Sequence, residues 1–502
     1  MCEKERKAKM TMTAHKNRRI QYLAAFSVSL ASLTLGISSA WPTPVLPKLK
    51  KGGLEISDAE IGWMMAMSSP GFIVGSLVTR FFADRFGRRA SVLISACPIA
   101  VGTLVVAFAV KAWLLYVTRF LWGAGTGMVS TLVPMYIGEI SDSEVRATLS
   151  LFTRVMFNLG SLLVMSIGMF VSYECLNYML LVLPGAYFVA CLWIPESPYY
   201  LLKRGRVGEA RTALMGLRQQ KDEKELEDEL ARLQADVRNE TRRSGSLKEL
   251  MIGRQYRKAV IIAAGLKVTQ IMTGSMAVQQ YLSTILEESK ITMQMSTAVI
   301  VFGAVRFVVG IMSSILVDRV GRRPLLIYSL LGTGVSLAAV STYFFLKDIL
   351  ELNHESLSPY SFIPFAGIIS STVLSTLGYN SIIFVIPAEI FPLNVKAVAL
   401  SSLSIFGGVC GFTLAKGFQV LQNLAGFCAV FWVFTGVAFA GTIFTMLYVP
   451  ETKGKSLKDI QVLLQGDFYY DDGCEKLNDV NNAKNNECEN ELQEINLKDV
   501  KC

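Results

Sequence analysis

The sequence DRFGRR at residues 84–89 returns almost unchanged as DRVGRR at residues 318–323. Each copy stands between two apolar runs that are long enough to cross a bilayer, which predicts a tight turn at a membrane surface. Gly87 and Gly321 would let the backbone reverse at low steric cost. Because Lys and Arg accumulate in short cytoplasmic loops, both turns are expected to face the cytosol.

The composition is typical of a protein that crosses the membrane many times. Hydrophobic residues make up 52% of the 502 residues and charged residues only 18%, against about 25% charged in a soluble domain. The net charge of +9 comes from basic residues beside the apolar runs. The positive-inside rule accounts for that placement, so the expected partner is the lipid bilayer and nucleic-acid binding is not expected.

Apolar runs divide the chain into two sets of six predicted spans, which gives an all-α membrane protein. The predicted spans are about 21–42, 60–82, 91–110, 113–136, 148–171, 176–194, 258–286, 295–317, 324–346, 360–387, 398–420 and 426–449. The expected bundles are residues 21–198 and 258–449. Even numbers of crossings leave both termini in the cytosol.

Three polar segments lie outside these bundles. Residues 1–20 form a basic tail, and the tail at 450–502 is polar and expected to be disordered. Residues 199–257 are expected to form a cytosolic helical linker, because Leu226, Leu230, Leu233 and Val237 recur at helical spacing.

Charged residues repeat between the halves in the same order. Glu139 precedes Arg146 by seven residues, and Glu389 precedes Lys396 by the same interval. Pro195-Glu196-Ser197-Pro198 ends the first half, and a similar segment around Glu451 ends the second. Matched motifs in the same order indicate a duplication, and a parallel six-span repeat is a transporter architecture.

These motifs resemble the sugar-porter branch of the major facilitator superfamily. The resemblance covers roughly residues 20–460 and depends on the motifs DRFGRR, PMYIGEISDSEVRA, PESPYYLL, DRVGRR, IPAEIF and PETKGKSL. The stretches at 36–40, 158–160 and 416–419 look most like the insect facilitated trehalose transporters. The resemblance implies twelve transmembrane helices in two six-helix bundles, and transport of a sugar, trehalose or a hexose, by alternating access in the cell membrane.

The repeated charges are expected to form a cytosolic gate, since Arg side chains hold carboxylates in bidentate geometry. Such pairs could link the bundles in one state and break in the other. The alternative is that they only set topology and hold helix ends. The gate residues are Asp84, Arg85, Gly87, Arg88, Arg89, Glu139, Arg146, Glu196, Asp318, Arg319, Gly321, Arg322, Arg323, Glu389, Lys396 and Glu451.

The predicted sugar site departs from the family pattern. The resemblance implies two glutamines, a glycine and an asparagine in the seventh span, where Ile271 and Met276 replace the second glutamine and the asparagine. In the eleventh span, Gly407 and Gly408 stand at the asparagine and tryptophan positions. The remaining candidates for binding a small-molecule substrate are Gln270, Gly274, Tyr281, Asn380, Phe384 and Asn158.

Four cations lie within or near the apolar runs. Arg154 and Arg306 stand where relatives carry a glutamine and an asparagine, and both are added to the candidate site. A charge inside the membrane is a functional hypothesis by default. An anion-attracting cavity and a structural role both stay open for these arginines, whereas Lys267 and Lys416 are expected near span ends in structural roles.

Ser38 stands where proton-driven sugar porters carry a carboxylate, which favours facilitated diffusion. Two alternatives keep the same fold: a non-transporting substrate sensor, and a transporter for an organic anion that uses Arg154 and Arg306. An enzyme is not expected, because the two histidines, His15 and His354, lie outside the spans. No cofactor or metal is predicted.

Overall fold

The computed structural model describes residues 18–51, 56–142, 144–218, 223–242, 247–291, 293–350, 358–455 and 457–465. The regular structure in these ranges is helical. The first half contains Arg19–Ala40 continued by Pro42–Lys51 (span 1), Asp58–Ala66 continued by Ser68–Phe86 (span 2), Arg88–Ala107 (span 3), Ala112–Ile140 (span 4), Arg146–Phe170 (span 5), and Tyr173–Leu180 continued by Val182–Cys191 (span 6).

The second half repeats this order after the linker. Its helices are Arg257–Met272 continued by Ser275–Gln280 and Leu282–Glu288 (span 7), Met295–Val320 (span 8), Arg322–Asp348 (span 9), Ile363–Leu377 continued by Tyr379–Ile390 (span 10), and Leu393–Tyr448. That last helix breaks at Gly426, where φ is 71°, so the part before Gly426 is span 11 and the part after it is span 12.

This break accounts for the number of crossings. By length and hydropathy, 11 stretches of the described chain can cross a membrane, and the last, Val398–Tyr448, has 51 residues. A span needs about 20 residues, so the last stretch holds two spans and the chain has the twelve expected from the sequence.

In each arginine motif the chain reverses direction at one glycine. Span 2 ends at Phe86 and span 3 begins at Arg88, and Gly87 between them has a φ of 96°. Gly321 joins spans 8 and 9 in the same way, with a φ of 109°. Both values lie in the region that favours glycine, as the sequence predicts.

The two halves contact each other along spans 5 and 8 and along spans 2 and 11. Glycines allow the close approach, because an added Cβ at Gly310 would lie 2.3 Å from Asn158 Nδ2. An added Cβ at Gly408 would lie 2.5 Å from Ile73 Cγ1. Gly408 therefore leaves room for Ile73, a side chain of the opposite half.

The linker forms the helices Pro198–Lys203, Val207–Arg218, Glu223–Arg242 and Leu247–Ile252. Leu226, Leu230 and Val237 are buried, and Leu233 packs against them, in a small core with Leu214.

Arg218 ties this linker to the first half. Arg218 Nε lies 2.8 Å from Asp142 Oδ1, and Arg218 Nη1 donates to Ile140 O at 2.9 Å. The helix Val207–Arg218 is therefore fastened to the first half, whereas Leu250 of the last linker helix is buried in the core of the second half.

Part of the C-terminal tail is ordered, contrary to expectation. Leu457–Gln465 is a helix, and Ile460 and Leu464 are buried in the core of the second half. Their apolar side chains explain the difference, since the tail prediction rested on the polar residues further on. Residues 1–17 and 466–502 lie outside the described residues.

Candidate substrate-binding site

One end of the molecule, here called the arginine end, carries Gly87 and Gly321. In the first half, Arg88 holds Glu139 with three hydrogen bonds, from Nε at 3.1 and 3.0 Å and from Nη2 at 2.9 Å. The two side chains are only 4% and 12% exposed. This is a buried bidentate ion pair that fastens span 3 to span 4.

The second half repeats the pair in a weaker form. Arg322 Nη2 donates to Glu389 Oε1 at 3.2 Å, and the side chains are 15% and 27% exposed. Each ion pair joins helices of its own half. In this conformation the predicted gate groups therefore stabilise the halves separately.

Glu196 caps the start of span 3. Its Oε1 accepts the backbone N–H groups of Arg88 at 2.8 Å, Arg89 at 3.2 Å and Ser197 at 2.9 Å. The first N–H groups of a helix have no partner within the helix and attract a negative charge. Burial nevertheless raises the pKa of Glu196, against the lowering effect of these donors.

Glu451 caps the start of span 9 and uses both of its carboxylate oxygens, whereas Glu196 uses one. Oε1 accepts from the backbone of Arg322 at 3.1 Å and Lys453 at 2.8 Å, and Oε2 accepts from the backbone of Arg323 at 3.1 Å. Burial acts to raise its pKa, but the backbone donors outweigh burial and lower it. The two capping glutamates thus have pKa shifts of opposite sign.

The other predicted gate residues bind mostly within their own half. Asp84 pairs with Lys203 at 2.9 Å, and the Arg85 guanidinium lies 5.6 Å from the centre of the Phe81 ring. Arg146 donates to the backbone carbonyl of Ser141 at 3.4 Å.

The remaining gate residues that the structure describes also make contacts within their own half. Arg89 donates to Leu192 O, and Arg323 Nη2 donates to Met446 O at 2.7 Å, so each ties the start of one span to the end of another. Lys396 is partly buried, near enough to Glu389 for electrostatic attraction. The side chains of Asp318 and Arg319, and that of the site candidate Phe384, lie outside the described residues.

A chain of hydrogen bonds crosses the middle of the second half. Lys267 Nζ donates to Gln270 Oε1 at 3.1 Å, and Gln270 Nε2 donates to Asn380 Oδ1 at 3.3 Å. Lys267 lies in the middle of the stretch Arg254–Gln280. The expectation that it lies near a span end is therefore wrong, because the helical stretch already begins at Arg254, before the predicted start at 258.

Gly274 interrupts span 7 in the left-handed conformation, with a φ of 77°. The Phe434 ring fills the space beside it, since an added Cβ would lie 2.3 Å from Phe434 Cε2. On either side of the break, the hydroxyls of Thr273 and Ser275 lie 3.1 and 2.7 Å from the buried Tyr379 hydroxyl. The polar groups of this break are thus satisfied by span 10.

Arg154 connects the two halves. Its Nη1 donates to the hydroxyls of Ser313 at 3.4 Å and Ser381 at 3.3 Å, on spans 8 and 10. Asn158, one turn further along span 5, is buried against Gly310. Both candidates from the first half therefore lie on the interface between the halves.

Contacts between spans 1 and 7 close the end opposite the arginine end. Thr43 Oγ1 donates to Gln279 O at 2.7 Å, and Ser283 Oγ donates to Thr43 O at 2.5 Å. Arg306 donates to the Gln279 side-chain oxygen. Arg306 thus supports the segment of span 7 that forms this closure.

Tyr281 lies at the same closed end. Its ring stacks on Phe418 with 4.3 Å between ring centres, and its hydroxyl donates to Gln419 Oε1 at 3.4 Å. An added Cβ at Gly62 would lie 2.7 Å from the Gln419 side chain, so span 2 packs against the same glutamine. Tyr281 is therefore separated along span 7 from Gln270 by the break at Gly274.

Arg119 is a buried cation that sequence reasoning missed. It is 3% exposed, and its Nη1 donates to Ser38 O at 2.8 Å. In the described part of the chain its Nε has no hydrogen-bond acceptor. The signal was available, since Arg119 is a single charge inside the predicted span 113–136.

Two small cavities lie in the described part of the protein. One of about 20 Å³ lies within the first half, beside Ser38 and Trp122, and one of about 10 Å³ lies between the halves, beside Tyr281 and Gln419. One water needs roughly 10–15 Å³ by the same measure. These two cavities are therefore far too small for a sugar.

A family model described as "Sugar (and other) transporter" matches residues 7–464. The chain belongs to the sugar transporter family. This match confirms the resemblance seen in the motifs. Because the members of the family are membrane transporters, it also confirms the expectation that the chain is not an enzyme.

Curated relatives of this transporter carry a more specific name. The facilitated trehalose transporter Tret1 of Bombyx mori is 30% identical over 444 residues, which are 88% of this chain and 86% of that protein. The Tret1 protein of Culex quinquefasciatus is 30% identical over 88% of this chain and 85% of its own length. The Drosophila willistoni protein is 31% identical, but the match spans only 51% of its length.

Solved structures share the fold of this sugar transporter. The partially occluded inward-open form of the xylose transporter XylE from E. coli has a TM-score of 0.72 at 18% identity, over 87% of this chain and 99% of that one. XylE bound to 6-bromo-6-deoxy-D-glucose has a TM-score of 0.70 at 20% identity, over 89% and 100%. At this identity the likeness concerns the fold, and it confirms the twelve-helix arrangement of the major facilitator superfamily.

Proposed function

We propose that this transporter moves a sugar, trehalose or a hexose, across the cell membrane by facilitated diffusion with alternating access. The observation that carries the proposal is the closure of one end by spans 1 and 7, through Thr43 and Gln279, while the pairs Arg88–Glu139 and Arg322–Glu389 at the arginine end each join helices of one half. A carrier that exposes its site to one side at a time needs this asymmetry. The similarity to the Tret1 proteins supports trehalose as the first substrate to test.

The surroundings of Ser38 support facilitated diffusion over proton coupling. The Ser38 hydroxyl donates to Leu35 O at 3.0 Å, and the Ser38 carbonyl accepts from Arg119. A serine hydroxyl does not ionise at physiological pH, so it cannot load and release a proton as a carboxylate can. Transport is therefore expected to run down the sugar gradient without a proton.

The basic turns support an orientation with the arginine end and both termini in the cytosol. In that orientation the closed end faces outward, and the pairs Arg88–Glu139 and Arg322–Glu389 line the inner rim. We infer that closing the inner rim brings the two clusters together, so that carboxylates of one half attract arginines of the other. Substrate binding must then offset the loss of these contacts when the rim reopens.

The contacts of the two interface arginines favour the sugar proposal over an organic anion. Arg154 donates to two hydroxyls and Arg306 to an amide oxygen, so both are engaged by the protein. Their part is then to join the halves and to support span 7.

Uptake in oocytes tests the function. Radiolabelled trehalose, glucose and a panel of organic anions are compared for wild type and Arg154→Gln, with surface biotinylation to correct for the amount of protein. Saturable sugar uptake that is independent of external pH supports the proposal. Uptake of anions alone, abolished by Arg154→Gln, would replace it with the anion alternative, and surface expression without uptake of any substrate would favour a sensor.

A further inference from the structure

Lys267 and Gly407 share one space in the second half. An added Cβ at Gly407 would lie 2.5 Å from Lys267 Cε, so a larger residue there would require the flexible end of the Lys267 side chain to leave its observed position. Gly407 thus leaves room for Lys267 in the position that contacts Gln270. A lysine on span 7 and a glycine on span 11 form one matched pair.

The ammonium group of Lys267 determines how Gln270 is oriented. An ammonium has donors only, whereas an amide has one acceptor and one donor end. Because Lys267 Nζ lies 3.1 Å from Gln270 Oε1, the oxygen must face Lys267. The amide nitrogen is then directed to Asn380 Oδ1, at 3.3 Å.

A structural role alone does not explain a lysine at this position. Lys267 lies in the middle of a membrane span, where a cation costs several kcal/mol relative to an apolar residue. An apolar side chain would fill the space beside Gly407 without that cost. The charge contacts Gln270, so we expect it to act on that side chain.

We propose that Lys267 is a positioning and specificity-determining residue of the sugar site, and that Gly407 is the residue that makes room for it. The proposal rests on the proposed transport of a sugar. Lys267 fixes the amide of Gln270 for the substrate and places a positive charge beside it. The site then favours sugars that present neutral oxygen acceptors and rejects amino sugars, whose ammonium is repelled.

Kinetics of Lys267→Met test the positioning role, since methionine keeps the length of the side chain and removes the charge. The KM for trehalose, or for the hexose that wild type prefers, is expected to rise about tenfold, the scale of one hydrogen bond to a charged group. Vmax per surface molecule is expected to stay within about twofold. Inhibition by an amino sugar should strengthen at the same time.

A double-variant cycle tests the shared space. Gly407→Asn in wild type is expected to reduce uptake per surface molecule at least about tenfold, whereas in the Lys267→Ala background, where the space is empty, it should have little effect or restore uptake. Gly417→Asn is the matched control on span 11, because an added Cβ at Gly417 meets nothing within 4 Å.

Three results would overturn the proposal in distinguishable ways. An unchanged KM and amino-sugar inhibition for Lys267→Met would remove the specificity role and leave sugar transport standing. Additive effects of the substitutions at 267 and 407 would remove the shared space. A wild-type protein that takes up no sugar would remove the proposed function and, with it, the role of Lys267.

Discussion

Lys416 Nζ lies 4.3 Å from the centre of the Trp63 ring, and the contact joins span 11 of one half to span 2 of the other. A cation over an aromatic face is worth about 0.5–2 kcal/mol. This pair therefore contributes to keeping the end opposite the arginine end closed.

Removing the ring should open that end. Trp63→Leu is expected to increase the open fraction by about 2- to 30-fold, the range set by a cation–π contact. The measurement is the rate of labelling of Thr284→Cys, beside the cavity at Tyr281, by a membrane-impermeant thiol reagent above the background of the native cysteines. Lys416→Arg keeps the cation and should leave the rate unchanged, and an equal rate in Trp63→Leu would contradict the prediction.

The two arginine–carboxylate pairs should differ in their tolerance of lysine. Arg88→Lys removes a buried bidentate contact and is expected to cost about 2 kcal/mol of stability. Arg322→Lys alters a longer contact in a more exposed pair and should cost less than half as much. Melting temperatures of the purified proteins in one detergent provide the comparison, and equal losses would mean that the greater burial of the first pair has no energetic effect.

Charge reversal at Glu139 tests the proposed inner gate. Glu139→Lys is expected to change the transport rate per surface molecule more than it changes the surface amount, because the gate acts on the closure of the rim. Glu209→Lys, which reverses an exposed carboxylate of the linker, is the matched control. A surface amount that falls in step with uptake would indicate a purely structural Glu139.

Substitution by glutamine should affect the two capping glutamates differently. Glu196 accepts all three backbone N–H groups on one oxygen, which a glutamine oxygen can replace, so Glu196→Gln should change stability little at neutral pH. Glu451 uses both oxygens, and Glu451→Gln would set an amide N–H against the N–H of Arg323. Glu451→Gln is expected to cost about 1–3 kcal/mol of stability, measured as a lower melting temperature. A larger loss for Glu196→Gln than for Glu451→Gln would contradict these hydrogen-bond assignments.

The same glutamates should have opposite pH dependences. The pKa of Glu196 is raised, so its contribution to stability is complete below the ordinary value of about 4.3 and is lost as the pH rises through the raised value. The pKa of Glu451 is lowered, so its contribution is present above about 4.3 and is lost as the pH falls through the lowered value. The melting temperature of each variant is compared with that of wild type between about pH 7 and pH 3. On acidification, the difference caused by Glu451→Gln should become smaller and the difference caused by Glu196→Gln should become larger.

Sequence reasoning located the features that repeat or that depend on local chemistry. The turn at Gly87 and the contact of Glu139 with the arginine motif follow from short motifs, whereas the capping role of Glu196 is seen only in the structure. Sequence reasoning misplaced Lys267, because hydropathy gives the start of span 7 only approximately.

The contact between Lys267 and Gly407 could not be predicted from the sequence, for a different reason. The two residues lie on different spans, and their shared volume exists only once spans 7 and 11 are packed together. A glycine at a family asparagine position looks like a loss in the sequence, whereas in the structure it is the space filled by a side chain from another helix.

The one-residue turns at Gly87 and Gly321 limit how far the helices on either side can separate. No loop lies between spans 2 and 3, or between spans 8 and 9, so each pair is joined without slack at the arginine end. We expect each pair to shift as one unit when the halves change their relative position, and a side chain added at either turn to disturb both of its helices.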